Sequence, residues 1–334
     1  MAIVRDGMPP FDLYQPARIE DALSLAGRLG AEAWILAGGL DSLERFKDRI
    51  KRPRAVIDLG RIETLRGLRQ EKNGDWIIGP MTTLTTVSRH PVLREHFGLL
   101  ATAAGEVASP QIRNQGTIGG NISQDTRCWY YRGGWTCYRA GGNICYAGTP
   151  KGMNREHAIF GARRCVAVSP SDTAPALVAL EARLTIQNAT GRREVAAEDF
   201  FVGPADDITR LNILEPGDLL TEIRLPRTWA GATFYFEKVR DRPVWDFPLV
   251  NIAAALRQSG GRIEKARFIL GAVAAKPWRL TKVEAAVAGR SKDDAAVTAE
   301  KIAVAGAVPL TRNSYKLALT RNLVKRAILG KEAS

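Results

Sequence analysis

Apolar residues recur at helical and strand spacings over the first 60 residues of the chain. One face of a first predicted helix carries Ile19, Ala22, Leu23, Ala26 and Leu29. After it, "AWILAGG" is typical of a short buried strand that ends in glycines, "SLERFKDRI" predicts a second helix, and "RAVIDLG" predicts a second strand. This alternation of helices and strands predicts a small α/β unit over residues 1–60.

The pattern over residues 61–225 predicts a second unit with longer strands. "LRGLRQEKNGDWIIGP" indicates a hairpin that turns at Asn73-Gly74. A helix is expected from Thr86 to Val107, and it either accommodates Pro91 near its start or breaks there. A further helix and hairpin follow in "DTAPALVALEARLTIQNATGRREV", and "LLTEIRLP" forms a strand after the Pro216-Gly217 turn. We expect a mixed or antiparallel sheet with helices.

The character of the chain changes near Leu225. Three strands are predicted in "ATFYFEKV", "PLVNIAAALRQ" and "RIEKARFILGAV", with a glycine turn at residues 259–261 between the last two. Thr281 and Glu284 have the spacing of a capping box that opens a helix, and "YKLALTRNLVKRAIL" closes the chain as another. The fold class is therefore expected to be α+β, with a two-part domain over residues 1–225 and a domain of three-stranded antiparallel sheet and helices over residues 226–334.

Composition agrees with a soluble globular protein. The 334 residues are 45% hydrophobic and 25% charged, and no segment approaches the roughly 20 apolar residues of a membrane span. The first residues carry charges and prolines where a secretory signal is apolar, so we expect a cytoplasmic protein without a membrane span. The net charge of +13 is spread along the chain without a nucleic-acid-binding motif, so we expect no nucleic-acid partner.

Two glycine-rich segments are candidates for binding a phosphate group. They are "ILAGGLDSL" at residues 35–43 and "ASPQIRNQGTIGGNIS" at residues 108–123. Glycines let a phosphate approach the backbone N–H groups of a turn. The first segment alone is also typical of an ordinary strand-to-helix turn. Because neither fits G-x-G-x-x-G or the Walker pattern, a Rossmann nicotinamide site and a nucleotide hydrolase are disfavoured.

These two segments also carry a family resemblance. Together with "SPSDTAPALVALEA" and "FEKVRDRPVWDFPLVNIAAAL", they resemble the FAD-binding medium subunit of the molybdenum hydroxylases, which include xanthine dehydrogenase and 4-hydroxybenzoyl-CoA reductase. The resemblance extends over nearly the whole chain. It implies that the two loops hold the FAD diphosphate and ribityl chain.

The resemblance implies a set of FAD-binding residues. In the first loop and its flanks they are Ile35, Ala37, Gly38, Gly39, Leu40, Asp41, Ser42 and Leu43; Leu40 stands where the family usually has Thr. In the second they are Ser109, Arg113, Asn114, Gly116, Thr117, Gly119, Gly120 and Asn121, and further along the chain Asp172, Leu220 and Lys238. Lys238 would place a positive charge near the flavin, which stabilises an anionic reduced form. Alternatively, Lys238 is a surface charge on an exposed strand and Arg113 forms an ordinary loop salt bridge.

All four cysteines of the chain lie in the segment of residues 124–166, with the spacing C-x8-C-x7-C-x19-C. A cytoplasmic chain keeps its thiols reduced, so metal binding and simple burial are the competing explanations. Four thiolates suit tetrahedral zinc, although zinc sites usually contain close C-x2-C pairs. They equally suit a [4Fe–4S] cluster. The spacing alone leaves both open.

Family resemblance favours the cluster. The segment resembles the [4Fe–4S]-bearing insertion in the flavin subunits of 4-hydroxybenzoyl-CoA reductase and some bacterial aldehyde oxidoreductases, which implies the ligands Cys128, Cys137, Cys145 and Cys165. Six Trp and Tyr residues between Trp129 and Tyr146 then pack over the cluster, or else stack on nucleic-acid bases beside nearby arginines. We favour the packing role, and we expect His157 to be structural.

Together these features predict an oxidoreductase subunit that transfers electrons through FAD and a [4Fe–4S] cluster. The implied partners are a large molybdenum-cofactor subunit, a small [2Fe–2S] subunit and an external electron donor or acceptor such as ferredoxin, NAD, a quinone or oxygen, in a heterotrimer that can pair as a dimer. The substrate would be an aldehyde, an N-heterocycle or an aromatic acyl-CoA bound on another subunit. The alternatives are electron flow in the reductive direction and, in a different class, a zinc-stabilised binding protein.

Overall fold

Residues 7–330 form a mixture of helices and three β-sheets, which we describe from a computed structural model. The ends of the two predicted domains, residues 1–6 and 331–334, lie outside the described residues. The strands are β1 (Asp12–Tyr14), β2 (Ala33–Leu36), β3 (Ala55–Asp58), β4 (Leu68–Gln70), β5 (Trp76–Ile78), β6 (Arg183–Asn188), β7 (Gly191–Ala196), β8 (Leu219–Leu225), β9 (Thr233–Val239), β10 (Val250–Ser259), β11 (Arg262–Gly271) and β12 (Trp278–Arg279). The helices are α1 (Ile19–Leu29), α2 (Ser42–Lys47), α3 (Leu84–Arg89), α4 (Pro91–His96), α5 (Gly98–Gly105), α6 (Pro110–Gln115), α7 (Ile118–Ser123), α8 (Trp129–Arg132), α9 (Thr173–Ala179), α10 (Ala197–Phe200), α11 (Thr281–Val287), α12 (Lys292–Ile302) and α13 (Tyr315–Leu329). The α+β class is confirmed.

The first sheet is parallel, with strand order β1-β3-β2. Helix α1 buries Ala22, Leu23 and Ala26 beside the sheet, as the helical spacing predicted. Strand β1 was not predicted, because it has three residues and carries the exposed Leu13 on an edge. The same core includes Leu219 from β8, so this unit packs directly on the second sheet.

The second sheet has five antiparallel strands in the order β4-β5-β8-β6-β7. The hairpin predicted at Asn73-Gly74 joins β4 to β5, and Gly74 supplies the positive φ of 89° that the turn requires. Both hairpins expected in this region therefore form. Within residues 7–330 no helix has the length and apolar character needed to cross a membrane.

Of the two outcomes expected for the helix from Thr86 to Val107, the break at Pro91 is confirmed, and a second break divides the remainder, so three short helices occupy this stretch. Helix α3 ends at Arg89, and His90 adopts an extended conformation with ψ of 124°. Pro91 then begins α4, because a residue before proline disfavours helical dihedral angles while proline suits the first helical position. A second break at Phe97, with φ of −135°, separates α4 from α5.

The C-terminal sheet has four antiparallel strands in the order β12-β11-β10-β9, rather than the three expected. The additional strand β12 has only two residues. A strand of this length shows no alternation of apolar and polar positions in the sequence. Gly260 and Gly261 both have positive φ, 54° and 76°, and form the predicted turn. The sheet is buried on both faces: Ala253 and Ala255 face the core beneath the second sheet, whereas alternate residues of β10 face α11–α13.

The capping box predicted at Thr281 and Glu284 does not form. Helix α11 begins at Thr281 itself, and its N-cap is Leu280, without a side-chain hydrogen bond to the helix end. Glu284 instead accepts a hydrogen bond from the backbone N–H of Phe268 at 3.1 Å and forms an ion pair with Arg279 at 2.8 Å. The Glu284 carboxylate, which the motif assigned to the helix cap, therefore binds the backbone of β11 and the side chain of Arg279 instead.

The cysteine segment, residues 124–166, is mostly irregular and is held by the C-terminal end of the chain. Asn313 donates to the backbone carbonyl of His157 at 3.0 Å. The buried Lys316 donates to the carbonyls of Glu156 at 3.0 Å and Ala272 at 2.7 Å. We call these contacts the C-terminal clamp. They fix the residues that lead into Cys165.

We expect Lys316 to make stability rise between pH 7 and about pH 10. Its pKa falls from 10.5 to about 7, chiefly because burial disfavours the charged ammonium. In this window the unfolded chain binds one more proton than the folded chain, so the free energy of unfolding increases with pH. As the pH is raised from 7 to about 10, denaturant unfolding should therefore show that the wild type becomes more stable relative to Lys316→Met. Lys325→Met, at a surface pair with Glu300, is the control, and parallel pH curves for wild type and Lys316→Met would contradict the assignment.

Candidate cofactor sites

A cavity of about 950 Å³ lies where the first sheet, the α6–α7 segment and the C-terminal sheet meet. Its walls include the end of β2, the start of α2, the loop of residues 214–220 and the loop of residues 245–247. Cofactor sites typically have volumes of about 300–1,000 Å³. The cavity therefore has room for a dinucleotide.

The two glycine-rich segments lie against each other at this cavity. A Cβ on Gly38 would be 2.5 Å from the carbonyl oxygen of Gln115, and the side chain of Gln115 donates back to the Gly38 carbonyl at 3.3 Å. Gly39 has a φ of 80°, which favours glycine. These glycines are required by the close approach of the two loops, in addition to any phosphate contact.

The second glycine segment is ordered by its own polar side chains. The Thr117 hydroxyl accepts a hydrogen bond from the N–H of Gly120 at 3.1 Å and thereby caps α7. Asn121 accepts from the hydroxyls of Ser171 and Thr173, each at 2.6 Å. The polar residues around the glycines thus position the backbone that lines the cavity.

Most of the residues predicted to bind FAD line this one cavity. They are Ile35, Ala37, Gly38, Gly39, Leu40, Asp41, Ser42, Gly116, Thr117, Gly119, Gly120, Asn121, Asp172, Leu220 and Lys238. Residues separated by up to 203 positions, from Ile35 to Lys238, are brought together around a common space.

Four of the predicted residues lie outside the cavity wall. Leu43 is 37% exposed. Ser109 caps α6 by accepting from its first turn, Arg113 donates to a backbone carbonyl before α6 at 2.7 Å, and Asn114 accepts from the Thr85 hydroxyl at 2.6 Å. These three side chains shape the α6 segment and do not face the cavity.

Lys238 and Asp172 form a buried ion pair in the cavity wall. The Lys238 Nζ lies 2.6 Å from the carboxylate, and the two side chains are 1% and 3% exposed. Burial raises the pKa of Asp172, and Lys238 opposes that shift. The lysine is therefore not the exposed strand residue of the alternative interpretation, and its charge is balanced within the protein. Asn251 completes the site by donating to Asp172 at 2.9 Å.

Asp41 joins the first glycine loop to the cysteine segment. Its carboxylate accepts hydrogen bonds from Arg127 at 3.2 Å, from Arg132, and from the backbone N–H of Asp125 at 3.2 Å. The two arginines flank Cys128 along the chain. Asp41 lines the cavity as predicted, but its carboxylate is bound by these neighbours.

A second buried carboxylate strengthens this junction. Asp125 lies between Arg45, at 2.9 Å, and Arg139. Burial alone would raise the pKa of Asp125, but the attraction of Arg139 and Arg45 outweighs it and lowers the pKa. The resulting ion pairs hold the cysteine segment on α2.

All four cysteines line one small cavity. Cys128, Cys137, Cys145 and Cys165 are free thiols around a space of about 10 Å³. Burial raises the pKa of Cys165 to about 11 and also raises that of Cys128. No group of three or more His, Cys, Asp or Glu side chains within residues 7–330 is arranged to hold a metal ion. The four predicted ligands therefore line one cavity but are not arranged as a metal-binding group.

His157 and three tyrosines complete the small cavity. Nε2 of His157 lies 3.2 Å from the Cys128 Sγ. The pKa of His157 is lowered to about 4, mainly because burial disfavours the charged imidazolium and secondly because the positive charge of Lys316 repels it. Tyr130, Tyr131 and Tyr146 also line the space. The exposed rings of the segment are Trp129, at 65%, and Trp135, at 50%. Only part of the aromatic cluster thus packs around the thiols.

Sequence reasoning missed several residues of the larger cavity. Lys51, Arg127, Trp245 and Phe247 line it, as does the loop of residues 214–219. Lys51, Arg127, Trp245 and Phe247 belong to neither glycine segment. A sequence signal for them exists only in the exposed-looking loop "RDRPVWDFP", whose two aromatic residues have no partner in a strand.

Two protein-family models match the chain. "FAD binding domain in molybdopterin dehydrogenase" matches residues 9–228, and "CO dehydrogenase flavoprotein C-terminal domain" matches residues 234–330. The first covers the part of the chain that provides both glycine segments and all four cysteines. The second covers the C-terminal sheet and α11–α13.

Individual relatives agree with the family models. The chain is 34% identical to the aldehyde oxidoreductase FAD-binding subunit PaoB of Escherichia coli over 90% of this chain and 92% of that protein. It is 30% identical to the carbon monoxide dehydrogenase medium chain of Hydrogenophaga pseudoflava over 96% of each. A solved structure of carbon monoxide dehydrogenase from that organism superposes with a TM-score of 0.77 over 97% of both chains. The chain therefore belongs to the family of FAD-binding medium subunits of the molybdenum hydroxylases.

Proposed function

We propose that the chain is the electron-transfer subunit of a molybdenum hydroxylase complex, with FAD in the larger cavity. The observation that carries this is the cavity of about 950 Å³, which is lined by both glycine segments in a chain of this family. The residues fit the cofactor, because Gly38, Gly39 and Gly120 line the cavity without side chains and so let a diphosphate approach the backbone. When bound, FAD supplies the exchange of electrons singly or in pairs.

The Lys238–Asp172 pair has a more limited role in this proposal than the sequence suggested. Because Asp172 balances the lysine charge at 2.6 Å, the pair brings little net charge toward the flavin. We assign it the task of holding the cavity wall, where Lys238 also binds the Glu106 carbonyl at 2.9 Å. Asn251 orients the carboxylate from β10.

We further propose that Cys128, Cys137, Cys145 and Cys165 hold a [4Fe–4S] cluster. The support is the number and kind of the donors, which share one buried cavity. The space of about 10 Å³ between the thiols holds roughly one water molecule, so the cysteine loops must move apart during loading. Loading must also displace the thiol protons, because burial raises the pKa of Cys165 to about 11.

We prefer a cluster to structural zinc because the segment resembles the [4Fe–4S]-bearing insertion of related flavin subunits and lacks the close C-x2-C pairs of zinc sites. Both kinds of site take four thiolates, so metal analysis distinguishes them.

The proposed partners follow from the names of the relatives. These proteins are medium chains or FAD subunits of an aldehyde oxidoreductase and of dehydrogenases of carbon monoxide, nicotinate and xanthine. We propose a large molybdenum subunit and a small [2Fe–2S] subunit as partners here too, with an aldehyde or N-heterocycle as the oxidised substrate. An aromatic acyl-CoA reduced in the opposite direction is the alternative.

Cofactor analysis of the full chain, purified without oxygen, tests the proposal. We expect about one FAD and about four iron atoms per chain, with flavin and iron–sulfur bands in the visible spectrum. A colourless protein that contains zinc would overturn the redox function. Addition of an aldehyde or N-heterocycle to the assembled complex should then bleach the flavin, and an unchanged flavin spectrum with every oxidisable substrate class would contradict the proposed direction.

A further inference from the structure

Two non-glycine residues with positive φ meet at the mouth of the larger cavity. Ala108 has a φ of 42° and Trp245 a φ of 82°. The backbone N–H of Trp245 donates to the carbonyl of Ala108 at 3.1 Å, and both residues line the cavity. Side chains with a Cβ rarely adopt this conformation, and a bulky residue does so at a cost. Strain of this kind persists where the surrounding structure imposes it.

The loop that carries Trp245 is held from both sides. Arg242 binds Asp246 through its side chain and its backbone N–H, the latter at 2.9 Å. Phe247 lies under the guanidinium of Arg127, 5.1 Å from the ring centre, which connects the loop to the cysteine segment. These contacts fix the position of Trp245 although its side chain is 58% exposed.

An exposed indole on a strained backbone at a cavity mouth lacks a packing explanation within residues 7–330. Glycine at this position would remove the strain, and a polar residue would remove the exposed apolar surface. A planar aromatic ligand in the cavity would supply the missing contact, because tryptophan stacks well on aromatic rings. Trp245 lies on the wall shared with Lys238 and Ala108, because its backbone N–H binds the Ala108 carbonyl and Lys238 binds the carbonyl of Glu106 nearby.

We propose that Trp245 stacks on the isoalloxazine ring of FAD and is a binding residue for this cofactor. This inference rests on the proposed function, which places FAD in the cavity. In this arrangement the glycine segments would hold the diphosphate. The loop of Trp245 would hold the flavin, and the first sheet would hold the adenosine.

Flavin titrations of the full-length apoprotein test the proposal. Trp245→Gly should weaken FAD and riboflavin binding by a similar factor, about tenfold for the loss of one ring stack, while ADP binding stays unchanged. Trp245→Phe should restore most of the affinity. Because glycine relieves the positive φ, the melting temperature of Trp245→Gly apoprotein should equal or exceed that of the wild type.

Trp129→Ala is the matched control, since Trp129 is 65% exposed and does not line the larger cavity. It should leave all three affinities unchanged. Unaltered FAD and riboflavin affinities in Trp245→Gly would overturn the proposal, as would a loss of ADP binding equal to that of riboflavin. Wild-type chain that binds no flavin would instead overturn the proposed function, and this inference with it.

Discussion

Replacement of Cys137 by serine is expected to reduce the iron content from about four atoms per chain to less than one. Cys137 is 7% exposed and lines the small cavity with the other three thiols. A serine hydroxyl is a poor substitute for a thiolate, so one corner of the proposed cluster would lose its ligand. FAD binding should remain, because Cys137 does not contact the larger cavity. Iron and flavin analysis of the same anaerobic preparation measures both effects.

The neighbouring Thr136→Ser variant provides the control for this experiment. Thr136 is exposed and is not part of the small cavity, so its iron content should match the wild type. A full complement of iron in Cys137→Ser would show that the four cysteines are not the ligand set. Loss of iron and flavin together would indicate instead that the segment had unfolded.

Replacement of Gly120 by valine is expected to weaken FAD binding at least about 100-fold, or roughly 2.8 kcal/mol. A Cβ at this position would lie 3.0 Å from the Thr117 hydroxyl and 3.5 Å from the Ala37 Cβ, between the two glycine segments. The valine methyl groups would therefore occupy the space needed by the diphosphate. Titration of apoprotein with FAD, followed by flavin fluorescence, measures the change.

Gly191→Val is a matched control because a Cβ there meets no atom within 4 Å. Gly191 lies in β7, far along the chain from either glycine segment, and its replacement should leave flavin affinity unchanged. Equal affinities in Gly120→Val and the wild type would remove Gly120 from the site. Circular dichroism of both variants separates lost binding from lost folding.

Local patterns were sufficient to predict most of the fold. The spacing of Ala22, Leu23 and Ala26 correctly predicts α1, and the glycines at 260 and 261 correctly predict a tight turn. The errors fall where a distant contact decides the outcome. Glu284 binds Arg279 and a strand edge instead of its own helix end. The one-residue break at Phe97 depends on tertiary packing, since Phe97 is fully buried.

Candidate site residues were predictable where they lie in compact motifs. Each glycine segment, like the set of four cysteines, lies within a short stretch of the sequence and can be recognised there. The structure places these residues around two cavities. The engagement of Asp41 by Arg127 and Arg132 could not be inferred, because it joins positions more than 80 residues apart. The position of Trp245 in the cavity wall was not predicted for the same reason, because its backbone is held by a hydrogen bond to Ala108.

The C-terminal clamp has a consequence for biosynthesis. The residues that lead into Cys165 are fixed by Asn313 and Lys316, which leave the ribosome 156 and 160 residues after their partners His157 and Glu156. A nascent chain therefore presents its cysteines before the pocket that surrounds them is complete. Delivery of the proposed cluster is therefore expected to follow release of the chain.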